Sequence, residues 1–266
     1  MLIGYGQPAD IVPTVNGANV VNVGALVDGA PASIARISGG AGSANLRADW
    51  AVAAPIRVVA ALGLTCAAGT ALTLTGKRSG DSGYPYALGG NAATQTVVQL
   101  PDGSRAAWFV LPAENSPLVG LQFAVASGTF DVGELVVMRG VEISKKPDWE
   151  VDRIDPSLSS RSIGGGINTV TRRTYRRLRV GFTPSELAEV RGGGLANGMD
   201  WESLGIAVAG AARAVAAPRW KDTAGALDAI ELHRTAIYGK ATAGAIGHLG
   251  GNYYGAGWTF EEVPPL

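Results

Sequence analysis

Glycine and proline interrupt this chain so often that frequent turns and short strands are expected, and this constrains its fold more than any other feature. There are 38 Gly and 14 Pro in 266 residues. Glycine supplies turns with positive φ and proline breaks helices, so the pattern favours short strands joined by frequent turns over a helical bundle. From Val20 to about Ile143 the rhythm is regular. Pro55–Leu62, Ala71–Thr75, Thr96–Leu100, Ala107–Leu111, Val119–Val125 and Glu134–Met138 are short runs rich in β-branched or aromatic side chains. Gly80–Gly83, Gly89–Asn91, Pro101–Gly103 and Ser127–Thr129 separate them as turns. A β-sandwich of jelly-roll type over residues 1–143 is the expected result.

The rhythm breaks over residues 144–170, where Lys145-Lys-Pro-Asp-Trp149, Ser157–Ser160 and Gly164-Gly-Gly166 follow one another. This composition reads as a linker or extended arm, with Trp149 available to dock it. Beyond it, Thr169–Phe182 alternates as a strand with Leu178, Val180 and Phe182 on one face. Thr183-Pro-Ser-Glu186 predicts a helix capped by Thr183, with Glu186 completing a capping box and Gly192-Gly-Gly194 stopping it. Asp200–Ala209 is a second predicted helix, capped by Asp200. Ala214–Trp220, Arg234–Gly239 and Gly257–Val263 read as three more strands. The whole is mainly β, with residues 171–266 forming a β-barrel-like α+β domain with one or two short helices.

Composition excludes several functions. The formal net charge is zero, 22 basic against 22 acidic side chains, so no global field favours nucleic acid or an anionic membrane. The single cysteine, Cys66, rules out an internal disulfide framework and sits in an apolar run as a buried thiol. The start Met1–Gly6 lacks the pattern of a signal peptide, and no long charge-free run fits a membrane span. The expectation is a soluble protein made and kept in a cytoplasm, at least until assembly.

No motif carries chemistry. His233 and His248 lack the one-turn spacing of a helical zinc site, no Gly-x-Ser-x-Gly elbow occurs, and neither triple glycine has a phosphate-loop pattern. Glu261 and Glu262 fall on opposite faces of one strand; acids paired from different strands stay open. The expectation is a protein that is not an enzyme, with no metal and no cofactor. Five guanidiniums crowd into eight residues: Arg172, Arg173, Arg176, Arg177 and Arg179. Nucleic-acid contact, inter-subunit ion pairing and a solvated strand edge are the readings open to them, and we take them as candidate subunit-interface residues without nucleic-acid specificity. Tyr84 and Tyr86 in a Gly-rich loop, with Trp50, are the candidate glycan-contact residues.

Two stretches resemble known families. Asn22-Val-Gly-Ala-Leu-Val-Asp-Gly29, Ala48-Asp49, Pro55-Ile-Arg-Val-Val59 and Phe130-Asp-Val-Gly-Glu-Leu-Val-Val137 resemble the signatures of the galactose-binding, discoidin-like jelly roll of many carbohydrate-binding modules. That match covers roughly residues 15–143 and departs from the pattern at Trp50-Ala51, where Leu-Gly is usual. Arg173-Thr-Tyr-Arg-Arg-Leu178, Val215–Trp220, Thr235–Gly239 and Trp258–Val263, in that order, are similar to distal or minor tail proteins at the tail tip of long-tailed phages. The second resemblance implies a virion protein without chemistry. It would sit in a ring of six or three copies of itself, bound to tail tube and tail hub or fibre proteins, with its sandwich facing outward and available to host surface glycan.

Overall fold

In this computed structural model residues 1–39, 42–88, 93–112, 117–143, 148–209 and 213–264 are described; the turn expected at Gly89–Asn91 lies outside them. The chain is mainly β, and every strand pair among the described residues is antiparallel. Strict alternation builds the outer sheet of the sandwich. In β7 (Ala71–Lys77) Leu72 and Leu74 turn inward while Thr73, Thr75 and Lys77 turn outward. β5 (Ala44–Ala54) does the same with Leu46, Ala48 and Trp50 inward and Arg47 and Asp49 outward. With β2 (Val12–Asn16), β12 (Leu118–Val125) and β8 (Tyr86–Ala87) they run in the order β2-β5-β12-β7-β8, and β9 (Thr94–Thr96) also pairs with β7.

The opposing sheet follows another logic. β6 (Val58–Leu62) is buried at every position, as a strand covered on both faces must be. Val59 and Ala61 join the sandwich core with Leu46, Phe109 and Phe123, whereas Val58, Ala60 and Leu62 face away into a second apolar layer with Trp108, Trp220 and Tyr238. That layer exists because the sheet continues into the second half of the chain. β6, β11 (Arg105–Val110) and β14 (Glu134–Glu142) belong to an eleven-stranded sheet with β19 (Ala214–Ala217), β20 (Ile237–Ala243), β22 (Tyr253–Glu262), β18 (Tyr175–Glu186) and β15 (Asp148–Ile154). The strand that joins the halves is β1 (Leu2–Tyr5). Leu2 lies opposite Glu142 on one side and Ala217 on the other. The sandwich boundary expected at 1–143 therefore does not coincide with a break in the sheet, because backbone pairing through β1 carries it onward.

The second lobe curls this sheet over α1 (Leu187–Arg191) and α2 (Trp201–Ala209), which bury Val190, Trp201, Leu204 and Val208 against Leu178, Val180, Trp258 and Phe260. Gly239 is required where β20 meets β22, since a Cβ there would overlap the Glu261 carbonyl. α2 begins as expected, with Asp200 Oδ1 accepting from the Ser203 N–H at 2.7 Å. The first helix does not begin at Thr183. The strand β18 runs on to Glu186 beyond a bulge, pairing Ser185 and Glu186 with Tyr254 and Tyr253. Glu186 is the N-cap, with Glu189 closing the capping box. An extended backbone before Pro184 suits a strand as well as a helix start, and cross-strand pairing decides between them. A third helix, α3 (Ala229–Thr235), goes beyond the one or two expected; Asp228 caps it at the Glu231 N–H.

The segment expected as a linker over 144–170 is structured where described. β15 pairs along its whole length with β18, from Asp148 opposite Gly181 to Ile154 opposite Tyr175. A separate hairpin follows, β16 (Leu158–Arg161) and β17 (Ile167–Val170), in which every residue is exposed.

Candidate interaction surfaces

The five arginines do not form one patch. Arg176 is spent inside the chain: its Nε and Nη2 donate to Glu262 Oε1 at 2.9 and 2.5 Å, and Nη1 and Nη2 reach the carbonyls of Arg234 and Ala236 at 2.7 and 2.9 Å. Both partners' side chains are largely buried, so this fork seals the end of β20 against β18. Arg177 donates to Glu261 directly across the β18–β22 ladder at 3.0 Å. Arg179 meets Asp152 at 3.1 Å and Glu150 at 3.6 Å on β15. These are cross-strand rungs, set by register. Arg179 stays exposed beside its carboxylates, and Arg172 and Arg173 stand exposed at the base of the β16–β17 hairpin, where the Arg172 N–H donates to Ser157 Oγ at 2.9 Å.

That hairpin is exposed along both strands, and β15 is partly exposed. Leu158, Ile163, Ile167 and Val170 are all exposed on the hairpin, and among the described strands β15 is paired on one side only, with Trp149 42% exposed along it.

The three glycan candidates separate. Trp50 is 5% exposed, its ring in the sandwich core and its Nε1–H donating to the Leu118 carbonyl at 2.8 Å. It offers no face to a ligand, and the alternation Leu46-Arg47-Ala48-Asp49-Trp50 already carries the signal that it points inward. Tyr84 lies over the outer face of the sandwich above Gly120, where a Cβ would collide with Asp49 and crowd the Tyr84 ring. Its hydroxyl donates to Asp49 Oδ2 at 2.5 Å. Burial and that carboxylate hold the Tyr84 hydroxyl well above the ordinary phenol range. The Arg47 guanidinium sits 5.0 Å and Lys77 Nζ 5.7 Å from the ring centre, and Arg47 Nε donates to Gln122 at 2.8 Å. Tyr86 is half-buried against the core, with Arg78 4.6 Å from its ring centre.

Sequence reasoning missed the seam between the lobes. Glu142 accepts from Arg57 Nη2 at 3.0 Å and from Lys221 Nζ at 2.6 Å, and both cations lie against the Trp220 ring. Glu134 is fully buried and neither carboxyl oxygen has a hydrogen bond; the Tyr238 hydroxyl facing the same region is also unpartnered. Burial first, and the nearby Glu134 second, raise the pKa of the Tyr238 hydroxyl. Burial first, and the Asp28 carboxylate second, push Glu134 up to about 8, so it is protonated at neutral pH. A cavity of about 480 Å³ opens beside them, bordered by Gln7, Asp10, Asp28, Gly29, Arg213 and Tyr238. His233 is buried with both ring nitrogens unpartnered, and burial, then Arg176, hold its pKa down to about 4. The one available signal was a lone acid opening an apolar run at Glu134–Met138.

Among the described residues no group of three or more His, Cys, Asp or Glu side chains could hold a metal, and no helix is long and apolar enough to cross a membrane.

No protein-family model matches the chain, and no curated protein matches it. Among solved structures the chain is similar to a CBM32 domain, CBM32-1, of a family 31 glycoside hydrolase from Clostridium perfringens. Identity is 17%, half of this chain and 96% of that one are covered, and the TM-score is 0.35. It is also similar to a family 89 glycoside hydrolase from Clostridium perfringens in complex with PUGNAc, at 10% identity and a TM-score of 0.31 over 48% of this chain and 14% of that one. At these scores neither likeness supplies an argument about what this chain binds, and neither bears on the tail-tip resemblance.

Proposed function

We propose that this protein is a non-catalytic structural component that works assembled with copies of itself, with the tail tip of a long-tailed phage as its setting. The observation that carries the reading is the β16–β17 hairpin, an isolated two-stranded arm with four exposed apolar side chains. Two strands alone are marginally stable in water, and such a surface on a lone subunit invites a partner. The unpaired side of β15 adds a second open surface to the same lobe. Two unlike surfaces on one subunit give a heterologous contact, which closes into a ring when the rotation permits. Electron microscopy and light scattering of the purified protein test this: ring-shaped oligomers are the expected result, and a monomer at every concentration up to the solubility limit overturns it.

A second reading, contact with host surface glycan through the sandwich, is favoured by the Tyr84 site. A tyrosine ring flanked by Asp49, Arg47, Lys77 and Gln122 on a flat sheet face combines an apolar surface with hydroxyl-directed donors and acceptors. A glycan array read with the wild type and with Tyr84→Ala tests it; binding lost in the variant supports this reading, and no binding by well-folded wild type ends it.

A further inference from the structure

The arm leaves the second lobe at one end of β18, where Ile154 and Tyr175 pair. At the other end of that strand, around Glu186, Leu187, Arg191, Asn252 and Tyr253, lies an open groove of about 830 Å³. Leu187 and Tyr253 are half-exposed in it, and Leu249 is exposed on the neighbouring strand β21 (Gly247–Gly250). We propose that the arm of one copy docks in this groove of the next copy. The inference rests on the assembly reading and names the two surfaces that meet.

Three observations converge on a second copy as the occupant. The first is apolar complementarity. Leu158 and Val170 face each other on one side of the hairpin and Ile167 lies on the other, while Ile163 sits in the turn at its tip, so the arm presents apolar side chains on both faces and at its end. The second is charge. Arg161, Arg172 and Arg173 are basic and no acid occurs between Pro156 and Thr174, whereas the groove carries Glu186 and Glu189 around its helix and its Arg191 is taken by Glu202 at 3.3 Å. The third is reach. β18 is twelve residues long, which puts the groove about 36 Å from the arm's base. From Ile154 to the tip at Ile163 the chain spans at most about 30 Å, and only if fully extended and turned straight back. An arm therefore falls short of its own groove. Because arm and groove lie at opposite ends of the lobe, the contact runs head to tail.

The test uses the full chain. Ile163→Cys in one preparation and Leu187→Cys in another are mixed under mild oxidation; Cys66, buried and with its thiol pKa raised by burial, stays silent. A disulfide-linked dimer in the mixture, absent from either variant alone, is the expected result. In parallel, Ile163→Asp with Ile167→Asp should weaken self-association at least about tenfold while leaving the melting temperature of the subunit unchanged, because both side chains are exposed. Wild-type protein that assembles, with no cross-link and no weakening, overturns the docking and leaves the assembly reading standing. Wild-type protein that never assembles overturns both.

Discussion

Glu134 shows how a single side chain sets the response of the whole fold to pH. Its folded pKa of about 8 lies above the ordinary carboxyl value of 4.5, so the folded state holds a proton that the unfolded chain releases. The stability this confers is complete below pH 4.5, declines as pH rises, and is gone once pH passes 8. The melting temperature should therefore fall between pH 5 and 9, and Glu134→Gln, which keeps the shape without the proton, should flatten the profile and gain roughly 1–3 kcal/mol at pH 8.5. Equal slopes for both proteins would refute the assignment. Two of the three aromatic residues first grouped as glycan contacts should part in the same way. Trp50→Ala opens a core cavity and should cost about 3–5 kcal/mol in urea unfolding, whereas Tyr84→Phe removes one half-exposed hydroxyl and should cost about 1 kcal/mol.

Among the elements, β18 separates arginines that look alike in the sequence. Arg176→Ala leaves Glu262 buried without its fork and uncaps two carbonyls, a loss of roughly 3 kcal/mol or more; Arg177→Ala removes a partly exposed pair and should cost under about 1 kcal/mol. Comparable losses from the two would contradict the geometry. The sequence made the strands of the sandwich legible because alternation there is local: Leu72 and Leu74 against Thr73 and Thr75 need no distant information. α3 went unread: Asp228 followed three residues later by Glu231 is a cap signature, but the strand expected over Arg234–Gly239 took in the helix's last two residues. Arg176 was not legible in its role, because its carboxylate is 86 residues away and only the β18–β22 register brings them together. Glu134 was hidden for the same reason: the groups around it are distant in sequence, Asp28, Gly29 and Ala30 on one side and Arg213 and Tyr238 on the other.

For the molecule as a whole, the decisive feature is that the two lobes share one sheet rather than touching as finished bodies. A fragment of residues 171–266 keeps β18, β19, β20 and β22 but loses β1 and β15, the neighbours of β19 and β18. It should show no cooperative melting transition on its own, and a sharp transition from that fragment would show the lobes to be independent. The position of β1 also has a bearing on synthesis. Leu2–Tyr5 is synthesised before either of its partners, Arg139–Glu142 and Val215–Ala217, which lie far downstream in the chain. The nascent protein must carry this apolar strand unpaired until both partners have been made, which makes β1 late to find its place and a natural point for a chaperone to take hold.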